Sequence, residues 1–178
     1  MSAQASNDTC CGTRASLGTF EVGDVAALDH LAVKLICLDS RFAPWLEHVG
    51  RLLGYGFAGR CHPEPVSFDE ALASLISSCG FDGTIQFRVH RSNEDEALLQ
   101  IDGCCVTLGW RIPRVDRCVC GFDAALFEGF LRSATGDRAL SVRETACLGF
   151  GDAACQFIIH RQQTPDTGHE EREQHDQH

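Results

Sequence analysis

The hydrophobic pattern of this chain predicts an α+β fold in which an antiparallel sheet of two hairpins packs against helices. Apolar residues recur at helical spacing in three successive segments between residues 25 and 79. The period then drops to two over residues 84–107. A fourth helical segment follows, and after it a second pair of alternating stretches.

The first helix is expected over Val25–Leu38, where Val25, Leu28, Leu31, Ala32, Leu35 and Ile36 share a face behind Asp24 as cap. A second runs from Pro44, tolerated in a first turn, to about Phe57. Its Gly50, Gly54 and Gly56 are expected to let a neighbour approach closely, and the break at Cys61–Pro65 ends it. Ser67 and Glu70 spell a capping box ahead of a third helix with Leu72, Leu75 and Ile76. Thr84–His90 alternates as a half-buried strand, Ser92–Asp95 makes the turn, and Ala97–Thr107 returns. A fourth helix, Phe122–Ala134, stops at Gly136. Residues 139–146 and 154–160 complete the second hairpin. The expected organisation is a flexible leader over 1–20, one domain over 21–161 and a disordered polar tail over 162–178. Tail residues His169, His175 and His178 are read as solvated.

Charge narrows the function classes. The net charge is −10 and Lys34 is the one lysine, so the surface repels nucleic-acid phosphates and anionic headgroups. No apolar run reaches the roughly 18–20 residues of a membrane span. No basic stretch followed by an apolar core opens the chain, which leads to the expectation of a cytoplasmic protein. Eleven cysteines in a reducing compartment point to metal ligation or thiol redox chemistry rather than a disulfide framework. Isolated ones such as Cys37 and Cys79 read as small core residues.

The thiols concentrate between Cys118 and Cys155. Cys147 and Cys155 bracket a short turn with Gly149 and Gly151, so they can face one another across a hairpin. Strict alternation would send Glu144 and Cys147 to opposite faces, and both reach one ion only where a bulge or strand end bends the chain. Cys120, at the positive end of the fourth helix, supplies a fourth donor favoured as thiolate. Zinc accepts such a tetrahedral mixed sulfur and carboxylate set, and four protein ligands leave no open position for catalysis. Cys118 is an alternative to Cys120, Cys104 and Cys105 are also available, and ordinary core packing of all these thiols accounts for the spacing equally well.

The stretch CGFDAALFEGFL (120–131), Gly136, and VRETACLGFGDAACQF (142–157) resembles the 4-vinyl reductase domain family, which includes hydrocarbon-binding proteins, a bacteriochlorophyll-pathway protein and effector domains of aromatic-sensing regulators. The resemblance is close over 120–159, under a quarter of the chain. It implies a homodimeric domain whose fold is shared with vesicle-tethering subunits. It also implies a structural zinc held by Cys120, Glu144, Cys147 and Cys155, beside an apolar cavity for a small hydrophobic or aromatic molecule. One departure is Ala125, where the family usually has glycine, and looser packing of that helix is expected.

For the cavity, eleven Phe and two Trp offer candidates: Phe57, Phe87, Trp110 and Phe122 as walls, with His48 or His90 as a polar contact. The function expected is a zinc-containing binding or sensing domain without its own output module, signalling through a regulatory partner protein. No GxxxxGK[ST] element is present and no acid–base pair stands out. The alternatives are an accessory factor or reductase-like enzyme of tetrapyrrole metabolism, and a thiol switch built on Cys10 and Cys11, Cys104 and Cys105, or Cys118 and Cys120.

Overall fold

A computed structural model describes residues 22–79, 86–91, 96–102 and 117–161. The elements are α1 (Val22–Leu38), a 3-10 turn (Ser40–Phe42), α2 (Ala43–Cys61), α3 (Phe68–Cys79), β1 (Gln86–Arg91), β2 (Glu96–Asp102), α4 (Gly121–Thr135), β3 (Leu140–Ala146) and β4 (Cys155–Arg161). The expected α+β class and element order hold. Two helix boundaries differ by more than one residue. The first helix starts at Val22, which places Asp24 inside its first turn rather than at its cap, and α2 continues through Gly59 to Cys61. The leader, the turn at 92–95, the continuation of the second strand beyond Asp102, and the tail lie outside the described residues.

The four strands form one antiparallel sheet in the order β1-β2-β4-β3, so two hairpins are joined through β2 and β4. Period-two alternation turns Ala97, Leu99 and Ile101 of β2, Cys155, Phe157 and Ile159 of β4, and Leu140 and Val142 of β3 into the core. On β1, Phe87 and Val89 pair with Ile101 and Leu99 and therefore share that inner face, yet Val89 remains 40% exposed. The outer face is polar, with an Arg88–Asp102 ion pair across the β1–β2 ladder.

The helical layer is organised around α4, which buries ten of its residues. It lies alongside α2 in the same sense: Glu47 stands beside Gly121 at the start of α4, and His62 meets the Phe130 ring edge-on near its end. The contact is backbone to backbone. A Cβ at Gly50 would strike the carbonyl of Phe122, one at Gly54 the carbonyl of Leu126, and one at Gly129 the carbonyl of Arg51. The expected close approach holds for Gly50 and Gly54. It fails for Gly56, around which a Cβ would meet nothing within 4 Å, because Gly56 lies on the opposite side of the helix. Residues 54–59 (GYGFAG) spell Gly-x-Gly-x-x-Gly, but they run inside α2 and not at a strand-to-helix turn, so they form no phosphate cradle.

Two polar devices fix the ends. Ser67 N and Oγ donate to Glu70 Oε2 (3.1 and 2.8 Å) while Glu70 N donates to Ser67 Oγ (3.3 Å), the reciprocal capping box read from the sequence. Ser67→Ala is expected to lower stability by about 1 kcal/mol in denaturant melts. The buried Glu128 accepts from Arg51 (2.8 Å) and Arg132 (2.9 Å) through Oε1 and from the Val142 N–H (3.2 Å) through Oε2, tying α2, α4 and β3 at one point. α4 ends at Gly136, whose φ of 73° is the left-handed conformation that glycine adopts freely.

Candidate metal centre

Three elements meet at the start of α4, each bringing a donor. Cys120 is the residue before the first turn of α4, fully buried, and its side chain makes no capping bond, which leaves the sulfur directed elsewhere. Glu144 stands near the end of β3. Cys147 ends that strand's exit, and Cys155 opens β4. Between Glu144 and Ala146 the register slips: Glu144 pairs with Phe157 but Ala146 pairs with Gln156, so Thr145 is an extra residue. This bulge is the bend that lets Glu144 and Cys147 reach the same side despite their odd spacing.

The turn after Cys147 is held by its own backbone. The Cys147 carbonyl accepts from Phe150 (3.0 Å), Gly151 (3.2 Å) and Asp152 (3.1 Å), while the Cys147 N–H donates to Asp152 Oδ2 (2.8 Å). Gly151 has φ 112°, a conformation that favours glycine. The Leu148 N–H points at Cys155 Sγ (3.4 Å), the sort of outer contact that steadies a thiolate. Sequence reasoning misses Asp152 and the Leu148 amide; a glycine-flanked acidic residue after Cys147 is the signal that could have found the first.

The result is a compact donor set. Cys120 Sγ lies 3.9 Å from Cys147 Sγ and 3.8 Å from Cys155 Sγ, and one ligand atom from each of these cysteines and Glu144 falls within 4.8 Å of all the others. These separations are too long for a disulfide. They equal the edge of a tetrahedron, about 3.8 Å, around an ion with sulfur at ~2.3 Å. Glu144 Oε2 accepts the Cys120 N–H (2.8 Å), whereas its Oε1 is buried and has no hydrogen-bond partner. A buried carboxylate oxygen left in that state is costly unless a cation meets it.

The electrostatics agree. Among the protein groups alone, hydrogen bonds from Cys120 and Cys155 hold the Cys147 thiol well below the usual thiol range. Burial first, and then the adjacent Cys147 charge, push the Glu144 carboxyl far above the usual carboxylate range. With the Cys147 charge in place, a second negative charge on Glu144 beside it is disfavoured, and a divalent cation reverses that balance.

Cys118 lies apart, exposed at the surface, and does not join the cluster. Desolvation and then the charges of Glu144, Cys147 and Asp152 push its thiol up to about 11. Cys37 packs half-buried against the core, and burial raises its thiol. Cys104 and Cys105 lie outside the described residues.

Among the described cavity candidates, His48 and Phe122 do not share a space. His48 is exposed on the outer side of α2, while Phe122 is fully buried under Gly50 on the opposite side, so the two line no common space. Phe57 is half-buried with the Arg60 guanidinium 4.6 Å over its ring. Phe87 is half-buried on the inner face of β1, His90 is exposed, and Trp110 lies outside the described residues.

Fold and site together define an α+β domain whose candidate metal centre offers three cysteines and one glutamate. Residues 99–161 match the family model of the 4-vinyl reductase domain, a stretch that contains all four donors and bears out the resemblance read from the sequence. No curated protein matches the chain. Among solved structures, trafficking protein particle complex subunit 3 from Naegleria fowleri, crystallised covalently bound to palmitic acid, superposes with a TM-score of 0.55 at 12% identity, covering 80% of this chain and 95% of that one. The phenol-responsive sensory domain of the transcription activator PoxR, solved with phenol, gives 0.49 at 13% identity over 82% and 76% of the two chains. At these identities the first similarity establishes the shared fold alone. Among the described residues no helix is long and apolar enough to cross a membrane.

Proposed function

We propose that this chain is a zinc-containing domain that binds or senses a small hydrophobic or aromatic molecule and passes occupancy to a partner protein. The observation that carries the metal half is the convergence of three sulfurs and one Glu144 carboxylate oxygen inside 4.8 Å, on a residue whose Oε1 is buried without a hydrogen-bond partner. Cys120, Glu144, Cys147 and Cys155 would hold the ion. Thiolates select zinc over the hard cations, and four protein ligands close the coordination shell, so the ion would supply structural cross-linking and not a reactive water. It would fasten the start of α4 to the second hairpin.

The ligand half rests on the family match together with the sheet. The inner apolar face of edge strand β1 is left partly open at Val89 beside Phe87, next to the strands that carry the core. Of the five cavity candidates, Phe87 is the one this placement favours as a wall residue. His48 drops out, because its exposed position faces away from the core.

Native mass spectrometry of the purified chain with elemental analysis tests both halves. One zinc per chain and a retained apolar small molecule are expected. A folded chain with neither would overturn the reading, and turnover of a vinyl-tetrapyrrole with added reductant would replace it with an enzyme.

Metal retention should also depend on pH in one direction. Ligation requires deprotonated donors, and the raised Glu144 carboxyl holds a proton at neutral pH that must leave when the ion binds. Each proton released makes binding weaken about tenfold per unit of acidification. Zinc occupancy after equilibration at stepped pH should therefore fall monotonically toward acid, and occupancy independent of pH would contradict the donor assignment.

A further inference from the structure

One residue outside the donor set holds Cys147 on both sides. The Cys147 N–H donates to Asp152 Oδ2 (2.8 Å), and the Cys147 carbonyl accepts the Asp152 N–H (3.1 Å) together with those of Phe150 and Gly151. The two peptide planes that flank a residue set its φ and ψ, and with them the direction of its Cα–Cβ bond. Asp152 therefore fixes where the Cys147 sulfur points. Its reach extends to a second sulfur. The Cys147–Leu148 peptide is trans, so its carbonyl and its N–H point in opposite directions. Drawing the carbonyl into the turn aims the Leu148 N–H the other way, where it lies 3.4 Å from Cys155 Sγ. Three donors on that carbonyl also polarise the peptide group and strengthen its N–H as a donor. Asp152 is itself exposed and contributes no ligand atom to the cluster, so its effect on the site is exerted through this one peptide turn.

We propose that Asp152 is a positioning residue of the metal centre, which governs how firmly the ion is retained by orienting the Cys147 sulfur and aiming the Leu148 N–H at Cys155. The inference rests on the metal half of the proposed function and deepens it. Outer contacts of this kind change metal affinity by about 10–100-fold. An N–H donated to a metal-bound thiolate draws charge from the sulfur, so losing it leaves a more electron-rich thiolate and a more labile ion.

Three variants of the full chain separate the hydrogen bond from the charge. Asp152→Ala removes both, Asp152→Asn keeps an oxygen for the Cys147 N–H without the charge, and Asp152→Glu keeps the charge but displaces the oxygen by one methylene. Zinc transfer to an excess of a chromophoric chelator should be about 10–100-fold faster in Asp152→Ala and near the wild-type rate in Asp152→Asn. After replacement of zinc by cobalt(II), the sulfur-to-cobalt charge-transfer band should move to longer wavelength in Asp152→Ala and stay in place in Asp152→Asn. A loss of stability elsewhere in the domain does not move that band. Asp152→Glu is the milder change and should shift both readouts in the same direction as Asp152→Ala, which decides the matter even where the alanine variant fails to fold. Wild-type release and an unmoved band in Asp152→Ala and Asp152→Glu overturn the proposal and leave the zinc assignment standing. Fast release from Asp152→Asn with a normal Asp152→Glu also overturns it, because the charge and not the hydrogen bond would then be responsible. A folded wild type that retains no zinc overturns the metal reading itself, and this inference with it.

Discussion

Cys155→Ser is expected to yield a chain without bound zinc, melting about 10 °C below the wild type. Cys155 Sγ is fully buried, 3.8 Å from Cys120 Sγ, and receives the Leu148 N–H. A serine hydroxyl at that place is protonated at neutral pH and is a poor ligand, so the proposed ion would lose one of four donors and the rest of the cluster its counter-charge. A structural zinc contributes on the order of 10 kcal/mol to a folded state, and forfeiting even about 4 kcal/mol of it lowers the melting temperature by roughly 10 °C in a domain of this size. Cys120→Ser should behave alike. Cys37→Ser and Cys118→Ser should keep one zinc per chain and shift melting by little, since Cys118 is exposed and neither belongs to the donor set. Equal losses from Cys118→Ser and Cys120→Ser, read by elemental analysis and calorimetry, would contradict the assignment.

Gly54→Val is the second large effect. Even the first carbon of a side chain at this position collides with the Leu126 carbonyl and the Phe130 amide, which are backbone atoms that cannot rotate away. The helices α2 and α4 must separate, exposing Phe130 and Leu126 and straining the Arg51–Glu128 pair that joins them. A cost of about 3 kcal/mol or more is expected, at the upper end of overpacking effects. Because α4 begins just after Cys120, zinc affinity should fall with it. Gly56→Ala, two residues away on the open side, should instead be neutral or stabilise by up to about 1 kcal/mol through helix propensity. Urea melts of the pair measure the contrast, and similar midpoints for the two variants would show that the seam is not as tight as described.

Much of this is legible in the sequence because it rests on local rules. Ser67 and Glu70 announce their own reciprocal bonds, Gly136 its left-handed stop, and the change of period at residue 84 the passage from helix to sheet. The donor set is legible for a different reason. Glu144, Cys147 and Cys155 sit within one hairpin, where spacing constrains geometry, and the odd spacing of Glu144 and Cys147 demands the bulge that Thr145 supplies. Choosing between Cys118 and Cys120 from the residues alone requires tertiary structure, because only the packing of α4 decides which thiol turns inward. The close approach expected at Gly56 fails for the same reason. Gly54 and Gly56 lie about 200° apart around a helix, and the chain alone does not say which side meets α4. The cavity is the least legible part: aromatic residues signal burial, not which surface they share, as Phe122 and His48 on opposite sides of α2 illustrate.

The central claim is that one ion is held by three sulfurs and one carboxylate oxygen in a closed shell. X-ray absorption spectroscopy of the purified chain at the zinc edge measures that directly. Three sulfur scatterers near ~2.3 Å and one oxygen near ~2.0 Å, with no bound water, are expected. A shell of four sulfurs, a shell dominated by nitrogen and oxygen, or a folded protein with no metal to measure would contradict it.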